Sequence, residues 1–251
     1  MKLNRFQAFG WHVLASILVG LLCSALVFLL WYPWPLPAAT GVTEIFLLLL
    51  AVDVVIGPCM TLLVFNPAKK ELKRDLAIVL LLQIGAFLYG LHAVFIARPV
   101  YLVFNTDRFD LVYANDFTPE KLGKVSDPRF RTVPLLGPHT VAARRPEEAK
   151  ARSDILFSAL SGGDDLPQLP QFYVPYPETG GQAQKQIHPL EELRRFNGSH
   201  SQEIAALAEK YAAIKGGVGF LPLRGKVKDL AVIVRKDSAE ILEVANLNPW
   251  Q

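Results

Sequence analysis

A single carboxylate, Asp53, interrupts an otherwise apolar run from Val42 to Phe65, whose only other charge is Glu44 near its start. At the middle of a bilayer such a group costs on the order of 3 kcal/mol even on lenient insertion scales, so it must find a hydrogen-bonding partner or serve a function. By depth, Ser24 in the preceding apolar run and Gln83 in the following one are its expected partners. The sharper alternative makes Asp53 a docking point for a polar or cationic group on a helix of another protein.

Other residues with chemical potential are scattered. His139, His188 and His200 are isolated from one another, and no G-x-S-x-G, H-E-x-x-H or S-x-x-K arrangement accompanies them. His12 and His92 sit near the ends of apolar runs with no second ligand at metal spacing. Cys23 and Cys59 lie inside apolar runs, where a thiol acts as a small hydrophobe. The glycines of Gly216-Gly217-Val218-Gly219 precede an expected strand rather than joining a strand to a helix, which fits no dinucleotide or phosphate loop. The expectation is a protein without catalytic residues, cofactor or metal.

These residues are carried by two unlike halves. The first 97 residues hold six basic and four acidic side chains, whereas beyond Arg98 charges come every few positions. Net charge is +3 over 251 residues, with no concentrated basic patch, so nucleic acid is not an expected partner. Three stretches, about 11–31, 42–65 and 76–97, each supply the roughly 20 apolar residues needed to cross a hydrocarbon core. Lys2 and Arg5 precede the first, and Lys69, Lys70, Lys73 and Arg74 separate the second from the third, while the loop from Tyr32 to Gly41 is uncharged. The positive-inside rule then places the N-terminus in the cytoplasm and everything after Ala97 on the far side. A 1–97 transmembrane domain followed by a 98–251 periplasmic domain is the expected division, in the inner membrane of a bacterium.

Ser16, Gly20 and Ser24 recur every four residues on one face of the first span, and Ala86, Gly90, Ala93 and Ala97 make a similar stripe on the third. Small rows let helix backbones approach closely, either within the bundle or against a partner's helix. Gly57-Pro58 should distort the second span, because Pro58 cannot donate to the helix ladder.

In the second half, alternation around a polar turn at Asn105 to Arg108 predicts a pair of strands, and Thr118-Pro119-Glu120 predicts a short helix. The prolines between Ser126 and His139 predict irregular chain. A helix is expected over about 146–160, and Ser199 with Gln202 reads as a capping box for another, whose apolar face is Ile204, Leu207, Ala208 and Tyr211. Strands are expected near 218–223, 230–235 and 240–244. The fold class is thus a three-helix transmembrane bundle followed by an α+β domain, with a small antiparallel sheet covered by helices on one side. The proline-rich stretch 164–189 reads as an extended loop whose aromatics, Phe172, Tyr173 and Tyr176, either cover the core or present a partner surface.

The run from Gly41 through Asp53 to Pro58, the Pro67-Ala68-Lys69-Lys70 loop, Ala97 to Phe104 with Asp107-Arg108-Phe109-Asp110-Leu111-Val112, and Leu221 to Lys226 with Pro249-Trp250 resemble the type IV pilin accessory proteins of the TfpX/TfpZ kind. That resemblance implies an inner-membrane, chaperone-like protein that pairs with a particular type IV major pilin, alongside other pilus assembly components, and supports pilus extension, retraction and twitching motility. Its expected partner-binding residues are Asp53, Ser16, Gly20 and Ser24 in the membrane and Phe172, Tyr173 and Tyr176 outside it. The alternative is a membrane-tethered sensory or small-ligand-binding module. Against it, the segments expected in the cytoplasm are too short to hold an output domain.

Overall fold

The structure is a computed structural model and describes residues 4–250. Three helices long and apolar enough to cross a membrane run Arg5–Trp31, Val42–Val64 and Leu72–Ile96. The first starts from a capping box: Asn4 accepts from the Gln7 amide while the Gln7 side chain accepts from Asn4. The first and third spans pack chiefly against the second, which lies between them.

Two parts of these helices are π-helical, Leu26–Trp31 and Val52–Ile56. The second of them immediately precedes Gly57-Pro58, where the missing proline N–H loosens the backbone ladder, so the expected distortion takes the form of a wider turn.

Beyond the spans lies a sheet of eight strands: β1 (Pro99–Asn105), β2 (Arg108–Tyr113), β3 (His139–Ala143), β4 (Tyr173–Pro175), β5 (His188–Pro189), β6 (Val218–Arg224), β7 (Leu230–Arg235) and β8 (Ile241–Ala245). Their order is β4-β3-β1-β2-β6-β7-β8, with β5 also paired to β6. Three membrane helices followed by an α+β domain are as expected, but the sheet is larger than expected and mixed. The β1/β3 and β2/β6 pairs are parallel, which the long connections from Tyr113 to His139 and to Val218 allow.

Both faces of the sheet are covered, not one. Leu102, Phe104, Phe109, Leu111, Leu221, Leu223, Val232 and Val234 point to one face, where Tyr176 and Ala183 cover them. On the opposite face Val103, Val112 and Val141 pack beneath Phe130, Leu166 and Tyr173, while Phe220, Ala231 and Ile233 pack beneath Leu193, Ile204 and Leu207. Strands buried on both sides read as continuous apolar runs, as β6 and β7 do, rather than as a clean alternation.

Two further expectations are corrected, and one further strand has no counterpart among the expected ones. The stretch 164–189, expected to lack regular elements, contributes β4, β5 and several short helices. The irregular chain before His139 ends in β3, a strand short enough for the flanking prolines to hide it. Ser199 does not cap the later helix, which begins at Ser201; Ser199 instead sits in a 3-10 turn, its hydroxyl 3.0 Å from His200 Nδ1.

The two halves are joined at more than the covalent link. The short helix Leu36–Thr40 between the first two spans places Leu36 and Ala39 in the sheet's core, and the Ala39 carbonyl accepts from Val227 N at 2.9 Å. Gly225 is required there, because a Cβ on it would collide with the Lys228 carbonyl oxygen of its own turn and would stand 2.9 Å from both the Ala39 carbonyl oxygen and its methyl. Tyr32, almost fully buried, donates to the Val94 carbonyl at 2.8 Å and so ties the end of the first span to the third. Arg98, only 4 % exposed, donates to the Phe95 and Pro134 carbonyls, each at 2.7 Å, and lies 3.8 Å from the Phe95 ring centroid.

Candidate partner interface

Asp53 is 8 % exposed, and its polar surroundings come from inside the bundle. The Gln83 amide donates to Asp53 Oδ1 at 2.8 Å and to the Asp53 carbonyl at 3.1 Å, and approaches Ser16 Oγ at 3.4 Å. The π-helical turn bears on this geometry, since a wider turn makes a backbone carbonyl available to a side chain. Gly57 permits the approach: any Cβ at that position would collide with the Gln83 amide.

Of the two expected partners, Gln83 is found and Ser24 is not. The Ser24 hydroxyl donates to the Gly20 carbonyl of its own helix at 2.7 Å. The serine at this depth is instead Ser16, which meets Gln83 rather than Asp53, because the first span starts at Arg5 and its midpoint moves inward to about residue 18. One turn beyond, His12 Nδ1 lies 2.6 Å from Thr61 Oγ1.

The small row on the first span is likewise occupied internally. Ser16 and Gly20 are buried, and a Cβ on Gly20 would come 3.1 Å from Leu50 on the second span. The third span differs. Gly90 receives Leu49, but Leu82, Ala86, Tyr89 and Ala93, spaced along one face, are all exposed.

Among the loop aromatics, Tyr173 and Tyr176 are buried core residues on opposite faces of the sheet, and Phe172 is half-buried on the Tyr173 side. The Tyr173 hydroxyl donates to the Pro167 carbonyl at 2.5 Å and that of Tyr176 to the Ala239 carbonyl at 2.7 Å. These contacts make Tyr173 and Tyr176 part of the cover of the sheet. Sequence reasoning missed the apolar surface that is on offer. On the helix Ala149–Leu160, Ile155 turns inward while Leu156, Phe157 and Leu160 stand outward, 57 %, 64 % and 74 % exposed. A helix that shows its larger apolar residues to solvent is a candidate contact surface. Its sequence signal is the Leu156-Phe157-Leu160 spacing of i, i+1 and i+4.

The Asp107-Arg108-Phe109-Asp110 motif runs from the turn after β1 into the first residues of β2. Asp110, 8 % exposed, lies 3.3 Å from Asn105 Nδ2 and 3.4 Å from Arg108 Nε. Burial pushes its carboxyl above the ordinary range, outweighing the opposing pull of Arg108, Asn105 and Arg224. A raised carboxyl means that ionisation opposes folding: the penalty is absent below the ordinary carboxyl range, grows as pH rises through the folded-state value, and is complete above it. Asp110→Asn should therefore raise the thermal midpoint at pH 7, and the gain should vanish in melts run below the ordinary carboxyl range.

Comparison with known proteins follows the same outline. A family model described as "Fimbrial assembly protein FimB" matches residues 2–41. Two fimbrial assembly proteins of Dichelobacter nodosus, those of serogroup I and serogroup E1, are each 31 % identical over 217 residues, covering 85 % of this chain and 84 % of theirs. The chain belongs to the fimbrial assembly protein family. A further member, from serogroups C1 and C2 of the same organism, is 35 % identical over 115 residues, 45 % of this chain and 88 % of that protein. No solved structure matches. The family's shared length takes in membrane helices and sheet domain together, because 85 % of the chain cannot be supplied by either half alone.

Proposed function

We propose that this protein is a non-catalytic pilus assembly factor of the bacterial inner membrane that binds one type IV major pilin and supports pilus extension and retraction. The observation that carries the reading is the 31 % identity to fimbrial assembly proteins across 85 % of the chain. The basic residues Lys69, Lys70, Lys73 and Arg74 between the second and third spans support a cytoplasmic N-terminus and a periplasmic sheet domain. An anchored subunit, with one helix in the bilayer and a head outside it, could then be met side by side at two levels.

The internal use of Ser16, Gly20 and Asp53 moves the proposed contact elsewhere: to the open Ala86 and Ala93 face of the third span and to Leu156, Phe157 and Leu160 outside the membrane. A photoreactive amino acid at Ala86, Ala93 or Phe157, in cells with the native pilus system, is expected to capture the major pilin. The same group at Ser16, facing the bundle interior, is expected to capture none. Deletion should deplete surface pili. Unchanged pili and pilin levels after deletion would reject the reading.

One observation favours the alternative of a ligand-binding module. A cleft of about 800 Å³ opens beside Tyr101, Phe130, Val133 and His139. Under that reading a small apolar molecule would co-purify with the chain, and deletion would spare pilus assembly.

A further inference from the structure

Three large apolar side chains stand in the open close to where the spans end. Trp34 is 75 % exposed, Leu135 69 % and Leu136 51 %. Trp34 follows the first span by three residues, whereas the two leucines belong to the sheet domain, about a hundred residues further along.

Two hydrogen bonds fix the leucines at the level of the bilayer boundary. On one side of them, the Pro134 carbonyl accepts from Arg98, two residues after the third span ends at Ile96. On the other, Gly137 N donates to the carbonyl of Leu30, the penultimate residue of the first span, at 3.5 Å. Consecutive Cα atoms are about 3.8 Å apart, so Leu135 and Leu136 cannot lie far from the last turn of that helix. Leu30 itself is 45 % exposed, so the space beside that turn is open.

We propose that the 134–137 loop, with Trp34, is a fourth membrane contact, a monotopic segment that seats Leu135 and Leu136 among the lipids of the leaflet reached by the end of the first span. Continuity with the spans identifies the occupant. Side chains at this depth meet the interfacial zone, which favours tryptophan and large apolar groups. The cations of the adjoining chain are already engaged: Arg129 makes a paired contact with Asp127, and Arg131 donates to the Val125 and Ser126 carbonyls. The contact is therefore apolar rather than a recognition of anionic headgroups. It fixes the sheet domain against the bilayer and so sets the direction in which the Ala149–Leu160 helix faces. The inference rests on the three spans and is independent of the pilin reading.

The test uses the full chain in lipid nanodiscs, with Cys23→Ala and Cys59→Ala and a nitroxide label on Leu136→Cys. Power saturation should give a label reached by oxygen and shielded from a water-soluble nickel chelate, as for Leu30→Cys, and unlike the water-facing reference Leu156→Cys. The depth should be the same in zwitterionic and anionic nanodiscs. Nickel access equal to that of the reference would overturn the proposal, as would a label reached by neither reagent, which would mean that protein covers the loop. The wild-type chain provides a check free of substitutions. Phosphatidylcholine carrying a diazirine near its glycerol should label the peptide containing Leu135 and Leu136 but not the 149–160 helix, and absence of that adduct would equally reject the contact.

Discussion

Replacing Arg98 with alanine is expected to destabilise the purified protein by roughly 2 kcal/mol and to free the 134–137 loop from the third span. Arg98 is almost wholly buried and meets no carboxylate among the described residues; its guanidinium is held by the Phe95 and Pro134 carbonyls and by the face of the Phe95 ring. Burial lowers its basicity from the ordinary value, with Tyr32 acting in the opposite direction. Truncation would leave the part-buried Pro134 carbonyl without its donor and remove the side chain that bridges span and loop, while the Phe95 carbonyl keeps the backbone N–H of residue 98 at 3.3 Å; an orphaned buried acceptor costs about 1–3 kcal/mol. Arg98→Lys should recover only part of the loss, because an ammonium cannot span two carbonyls and stack on a ring with the geometry of a planar guanidinium. Thermal unfolding in detergent would measure the stability change. A Leu136 spin label would report the release of the loop, and an Arg98→Ala variant with wild-type stability and an unmoved label would refute this account of the joint.

The spans were legible because hydropathy over 20 residues is a strong signal, and so was the later strand group, whose β6, β7 and β8 follow one another with short turns. The strands β3 and β4 were not. They are five and three residues long, sit among prolines, and owe their existence to distant partners, β3 lying parallel to β1. Tyr173 and Tyr176 were recognisable as a cluster of aromatics, but whether such a cluster faces in or out depends on a sheet surface that local sequence does not contain. The small rows show the same limit. Spacing shows that Ser16, Gly20 and Ser24 share a face, yet only the packed bundle shows that Leu50 closes on that face while the stripe at Ala86 and Ala93 stays open.

A second large effect is expected inside the membrane, and it separates structural from partner-binding use of Asp53. Gln83→Leu should destabilise the bundle by roughly 3 kcal/mol, because it removes the amide that donates to the buried Asp53 side chain. Part of that loss is offset, since Gln83 Oε1 is itself buried without a partner and disappears in the variant. The double variant Asp53→Leu with Gln83→Leu should lie within about 1 kcal/mol of the wild type, because removing both halves of a buried polar pair leaves neither unsatisfied. Resistance to unfolding in mixed detergent micelles would rank the three proteins, and a double variant as weak as the single one would contradict this assignment. Pilus assembly by the double variant then decides the function of the carboxylate. If Asp53 serves only the bundle, pili should form normally once stability is restored; if it also meets a polar group on an incoming pilin helix, assembly should fail in a protein that folds as well as the wild type.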